Sequence, residues 1–134
     1  YLPGTEWSVD CLCDHGRIVA GFVRAKSANS QVISHDEALM ALAAAVAAQF
    51  NLSNVVNIQF KSATPGTGSP HVLEINPRMS GGCAAGALAG VNLPLLQLLH
   101  AAGQQLPMQR AETVMVTSTS AMIRIAPDPA AGDA

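Results

Sequence analysis

The chain has 134 residues, of which 49% are hydrophobic, 12% charged and 4% aromatic, with a formal net charge of -2 at pH 7. That length suits one domain with a core of its own, and a slightly acidic balance leaves no basic footprint for nucleic acid. Apolar runs stay short of the roughly 18 residues of a membrane span, and the first residues do not read as a secretion signal.

Residues 6–13 and 17–26 alternate as two strands around Asp14-His15-Gly16, which is hairpin turn chemistry. Glu6, Ser8 and Asp10 share one face of the first strand, where they either touch a ligand or brace a cation such as Arg24. Cys11 and Cys13 share the other face. With Cys83 they make an odd count in a chain that needs no disulfide staple, so free thiols in a reducing cytoplasm are expected. Cys11, Cys13, Asp14 and His15 lack the paired Cys-x-x-Cys spacing of a zinc site. Residues 27–31 read as an ordinary strand-to-helix connection. Ser34 to Glu37 form a capping box that opens a helix through Phe50, with Leu39, Leu42, Val46 and Phe50 as its buried stripe.

The next two segments carry the chemistry. Val55 to Lys61 alternates, 62–70 is turn chemistry around Gly66, and Val72 to Asn76 alternates again before Pro77 ends the ladder. A turn centred near Gly66 sets Gln59 opposite Glu74 and Asn57 opposite Asn76. Glu74, Asn76 and Arg78 then lie on one face, with Leu73 and Ile75 on the other. Alternation alone fits an edge strand with one side in water. Clustered oxygens beside a guanidinium fit a hard cation and a phosphate instead. Beyond the hairpin, 81–89 reads as a short small-residue helix whose amino end could favour an anion, and 95–102 as a second helix begun by Asn92 and Pro94. A strand over 113–125 and a frayed tail over 126–134 complete the pattern. His35, His71 and His100 have no partner at catalytic spacing. The expected fold class is α+β, an antiparallel sheet with helices packed on one face, in a single domain over 1–125.

The segments Asn57-Ile58-Gln59-Phe60 and Leu73-Glu74-Ile75-Asn76-Pro77-Arg78-Met79-Ser80-Gly81-Gly82 resemble the metal-binding end of the ATP-grasp superfamily, and most of all its carbamoyl-phosphate-synthase-like domains. The resemblance extends to the opening Tyr1 to Asp10 and covers about the first hundred residues. It implies the carboxy-terminal subdomain of an ATP-grasp fold. It also implies ATP and Mg²⁺ (or Mn²⁺) as cofactors, with small-molecule carboxylate and amine substrates.

Carried over by position, the resemblance makes Gln59, Glu74 and Asn76 metal ligands that also contact the nucleotide, with Glu6 a further nucleotide contact. Arg78 would steady the transferred phosphoryl group, Arg24 would face the acceptor carboxylate, and Asn57 would neighbour the site. The implied reaction is activation of a carboxylate as an acyl-phosphate that an amine, or a thiol, then attacks. A non-catalytic α+β binding domain of the same topology stays open, as does bicarbonate activation of the carbamoyl-phosphate-synthase or biotin-carboxylase type. The latter enzymes would carry an acid where Gln59 stands. Because the chain starts at Tyr1 within a probable strand segment and lacks a glycine-rich flap, it is expected to be part of a larger enzyme. Without its amino-terminal ATP-grasp portion it is expected to be inactive, and a homo-oligomer stays open.

Overall fold

Asp14 and Arg17 pair across a two-residue turn in which His15 and Gly16 both take positive φ, 45° and 84°. That conformation matches the right-handed twist of the strands it joins. The computed structural model describes residues 2–27, 29–65, 68–119 and 122–123. In chain order they form β1 (Glu6–Asp14), β2 (Arg17–Lys26), β3 (Ser30–Ser34), α1 (Glu37–Gln49), β4 (Asn54–Ser62), β5 (Pro70–Asn76), α2 (Ala85–Leu88), α3 (Leu93–Ala101), β6 (Val114–Thr119) and β7 (Met122–Ile123). The strands make one sheet in the order β5-β4-β1-β2-β3-β6-β7, antiparallel at every pairing. The α+β class and the antiparallel sheet are as expected. The centre of the turn near Gly66 and the tail over 126–134 lie outside the described residues.

The expectation of helices on one face is corrected. Val9, Cys11, Val23, Val56 and Ile58 pack with Leu39, Ala43 and Ala47 of α1 on one side of the sheet. Leu12, Phe22, Ile33 and Val55 pack with Ala85, Leu93 and Leu96 of α2 and α3 on the other. The central strands are therefore apolar on both faces over part of their length, and each face needs its own cover. No helix among the described residues is long and apolar enough to cross a membrane.

Three local expectations also change. The supposed connection over 27–31 contains the start of β3, a strand that pairs with both β2 and β6. Because Ser34 belongs to that strand, it cannot cap α1. Asp36 does so, accepting the Leu39 N–H at 3.0 Å through Oδ1. The buried stripe of α1 is Leu39, Ala43 and Ala47, while Leu42 and Phe50 are exposed. Alanines at this spacing let the helix axis approach the sheet closely, so the larger side chains flank the contact. α2 uses the same device: a Cβ on Gly86 would lie 2.0 Å from the Phe22 ring, and only glycine fits.

The cap correction has a direct check in chemical denaturation. Asp36→Ala should cost about 1 kcal/mol of stability, whereas Ser34→Ala should stay within about 0.5 kcal/mol. The reverse order would restore Ser34 as the cap.

Candidate functional site

Alternation along β1 places Glu6, Ser8 and Asp10 on the face that α2 and α3 cover only in part. Across the ladders, Ser8 lies opposite Arg24 and Gln59, and Asp10 lies opposite Asn57. Gln59 in turn lies opposite Glu74 and Asn57 opposite Asn76, the register expected from the sequence. A bulge follows at Gln59/Phe60, so Phe60 pairs with Val72 and Leu73 drops out of the ladder. One face of four neighbouring strands thus gathers a continuous polar patch.

At its centre is a buried ion pair. Arg24 Nε donates to Asp10 Oδ2 at 2.7 Å, with side-chain exposures of 6% and 0%. Arg24 also donates through Nη1 to Gln31 Oε1 at 3.2 Å and through Nη2 to Ser80 Oγ at 2.9 Å. Of the two roles left open for Asp10 by the sequence, the structure places it as the brace for Arg24. Gly82 lies over the guanidinium so closely that a Cβ there would sit 2.1 Å from Nη1.

The other oxygen of Asp10 serves the amides. Asn57, 1% exposed, donates from Nδ2 to Asp10 Oδ1 at 3.0 Å. Its own Oδ1 accepts from Gln59 Nε2 at 3.1 Å and, at the long limit, from Asn76 Nδ2 at 3.5 Å. Glu74 is exposed beside Gln59, and Arg78 is exposed beyond Pro77, its Nη1 donating to the adjacent Met79 carbonyl at 3.2 Å. Glu6 receives Lys26 Nζ at 2.8 Å and has Lys61 Nζ at 3.9 Å. The hydrogen bond from Lys26 holds its carboxyl below the usual carboxylate range, against a smaller opposing effect of burial.

The turn between Arg78 and α2 is used differently from the sequence expectation of an anion site. Gly82 N–H donates to Ser80 Oγ, Cys83 N–H to the Ser80 carbonyl and Ala85 N–H to the Gly82 carbonyl. These donors are consumed internally. Ser80 therefore accepts from both Arg24 and its own turn, and neither Ser80 nor Gln31 stood out in the sequence as an Arg24 partner. Their signal was weak: Ser80 follows Arg78 by two residues, and Gln31 lies in what read as a loop. The Ser8 hydroxyl is fully buried on the same face without a hydrogen-bond partner among the described residues.

All three cysteines are free and buried. Burial, with the nearby Asp10 charge, pushes the Cys83 thiol up to about 11, and the contact to Cys13 together with burial raises Cys11. A separate cavity of about 350 Å³, lined by Arg17, Val19, His100, Leu106, Pro107 and Met108, contains none of the predicted site residues.

Gln59, Glu74 and Asn76 bring one carboxylate and two amides to neighbouring positions of the β4–β5 ladder. Such a set fits Mg²⁺ or Mn²⁺ when phosphate oxygens and water complete the octahedron. Among the described residues there is no group of three or more His, Cys, Asp and Glu side chains that could hold a metal ion.

Comparison with known proteins follows the same lines. The family described as ATP-grasp in the biosynthetic pathway with Ter operon matches residues 1–124. None of the curated proteins matches this chain. Among solved structures, N5-carboxyaminoimidazole synthetase from Staphylococcus aureus superposes with a TM-score of 0.60 at 13% identity, covering 87% of this chain and 35% of the synthetase. Its complex with ADP gives 0.61 at 13%, over 89% and 35%. L-amino acid ligase from Bacillus licheniformis gives 0.61 at 14%, over 91% of this chain and 35% of the ligase. At these identities the likeness is one of fold, and the chain spans about a third of each structure's length.

Two neighbouring glycines test the packing around Arg24. Gly82→Ala should cost about 1–3 kcal/mol by overpacking the guanidinium. Gly81→Ala, where a Cβ meets nothing within 4 Å, should be neutral or slightly stabilising in the same denaturation measurement. Equal effects would mean that Gly82 does not hold Arg24.

Proposed function

The chain belongs to the ATP-grasp family, and on that footing we propose that it supplies the cation- and phosphate-handling part of an ATP-dependent ligase that activates a carboxylate as an acyl-phosphate for attack by an amine or a thiol. The observation that carries this reading is the β4–β5 register. It sets Gln59 opposite Glu74 and Asn57 opposite Asn76 at an accessible sheet edge, with Arg78 free just beyond.

In this proposal Gln59, Glu74 and Asn76 hold Mg²⁺ or Mn²⁺, which neutralises charge on the ATP phosphates when bound. Arg78 offers a planar donor fork to the transferred phosphoryl group and to the acyl-phosphate that results. Its exposed guanidinium can turn to an incoming anion because, among the described residues, it has one carbonyl to leave, that of Met79. Glu6 stays ionised under the influence of Lys26 and can accept from a nucleotide hydroxyl at the rim. Arg24 was expected to face the acceptor carboxylate. Its burial and three hydrogen bonds support a role in holding residues 80–82, through which it would shape the acceptor side. No side chain is required as a covalent nucleophile.

The chain spans 35% of the solved ligase and synthetase structures. We accordingly propose that a further ATP-grasp portion completes the nucleotide clasp, and that the 134-residue chain alone binds metal or nucleotide weakly without turnover. Its buried free thiols support a reducing, cytoplasmic setting.

The test is ATP-dependent hydroxamate formation, with hydroxylamine trapping the acyl-phosphate from a panel of small carboxylates, in the enzyme that carries this chain. Glu74→Ala and Arg78→Ala should each lower the rate by about 10²-fold or more. Both side chains are exposed, so unfolding transitions should shift by no more than about 0.5 kcal/mol. Near-parent rates from both variants would refute the assignment.

A further inference from the structure

The amides of Gln59 and Asn76 can bind a cation only if their oxygens, and not their NH₂ groups, face outward. Each amide has an oxygen on one side and a nitrogen on the other, nearly equal in shape. Something in the protein must choose between the two orientations, because an outward NH₂ would repel the ion.

The hydrogen-bond chain behind these residues makes that choice by donor and acceptor logic. Arg24 can only donate, and its Nε is bound to Asp10 Oδ2 at 2.7 Å. Ionised Asp10 can only accept, so the group facing its Oδ1 must be the NH₂ of Asn57, at 3.0 Å. Asn57 is thereby fixed with Oδ1 on its far side. That oxygen in turn only accepts, so Gln59 and Asn76 must present their nitrogens to it, at 3.1 and 3.5 Å. Their oxygens are left on the side of each amide away from the Asn57 oxygen. Every link follows from the first, and Asp10 and Asn57 are both almost fully buried, at 0% and 1% exposure. No exposed group breaks the chain.

We propose that Asp10 and Asn57 are positioning residues that set the orientation of the two amide ligands, so that the buried carboxylate of Asp10 determines the cation affinity of Gln59 and Asn76 without touching the ion. This inference rests on the cation reading of Gln59, Glu74 and Asn76. It adds the reason why an amide at position 59 can serve there.

The argument specifies a substitution that keeps shape and reverses polarity. In Asp10→Asn, an amide oxygen kept on Arg24 turns the new NH₂ toward Asn57. Asn57 must then flip to offer its oxygen, and its NH₂ turns Gln59 and Asn76 around so that their nitrogens face the ion. The charge-conserving exchange D10N/N57D restores the original order. The new NH₂ at position 10 donates to a carboxylate at position 57, which accepts from Gln59 and Asn76 as before.

The experiment measures Mn²⁺ alone binding to the full chain by electron paramagnetic resonance, with thermal unfolding recorded for every variant. The parent should bind, and Glu74→Gln should weaken binding. D10N should weaken it by about 10- to 100-fold, as is usual when a group that orients a ligand is changed. D10N/N57D should return to within about threefold of the parent, which a merely structural role for Asp10 would not produce. D10N binding like the parent while Glu74→Gln does not would overturn the orientation proposal and leave the cation site standing. A folded exchange variant that stays as weak as D10N would overturn it too. No binding by the parent, or no effect of Glu74→Gln, would overturn the cation reading itself and this inference with it. If removing the buried charge or moving it to position 57 unfolds both variants, side-chain NMR of the unmutated chain decides. Nuclear Overhauser contacts from the NH₂ protons of Gln59 and Asn76 to the Asn57 side chain support the proposal, and their absence from both overturns it.

Discussion

The contact between Arg24 and Asp10 is the one on which the polar face of this sheet depends. It joins the two central strands β1 and β2, and both charges are withdrawn from water. Such a pair is a poor source of net stability, because desolvation offsets much of the attraction. Removing one partner is nevertheless expensive, since it strands a buried charge. Its value here lies in what it constrains. One oxygen of Asp10 holds the guanidinium and the other holds Asn57, while the guanidinium reaches Gln31 on β3 and Ser80 in the turn after Arg78. A single pair thus ties four strands and a loop into one arrangement.

Small residues make that arrangement possible from above. The segment after Arg78 lies directly over the polar patch and the adjoining core. Gly82 rests against the Arg24 guanidinium and Gly86 against the Phe22 ring. Side chains at either position would lift the segment and open the buried pair to solvent, with the loss of low-dielectric strengthening that this entails. The internal hydrogen bonds of residues 80–86 serve the same end, because they satisfy the backbone donors of the turn within the segment itself. The segment is a lid on the ion pair more than an anion cradle.

The parts of the fold and site that could be read from the sequence were those fixed by local chemistry. Asp14-His15-Gly16 specified a two-residue turn, and the alternation on either side of the glycine-rich stretch specified the β4–β5 register, so Gln59 and Glu74 could be placed opposite each other without coordinates. What escaped depended on long-range packing. Nothing near Arg24 in the chain announces that it is buried, because its partners Asp10 and Ser80 are 14 and 56 residues away. The stripe of α1 differs from the sequence expectation because periodicity weights leucine and phenylalanine, whereas close approach to a sheet favours Ala43 and Ala47. The start of β3 reads as part of the 27–31 connection because Ser30 and Gln31 are polar, and Val32-Ile33 is too short an apolar pair to mark a strand by itself.

The site also separates orientation from access across the sheet. Going outward from β1 through β4 to β5, the polar residues pass from Asp10 and Asn57, both buried, through Gln59, partly buried, to Glu74, exposed. Groups that must hold a fixed direction occupy the interior, where low dielectric strengthens each hydrogen bond and packing locks each rotamer. The carboxylate that would meet a hydrated cation occupies the edge strand, where its charge remains solvated and carries little cost of burial. Among the described residues, β5 has a neighbouring strand on one side only. The bulge at Gln59/Phe60 changes the ladder at that point, so that Glu74 and Asn76 keep their places opposite Gln59 and Asn57 while the strand beyond them is reset by one residue. The register of Gln59 with Glu74 and of Asn57 with Asn76 is in this way separated by the bulge from the register of the residues nearer the turn.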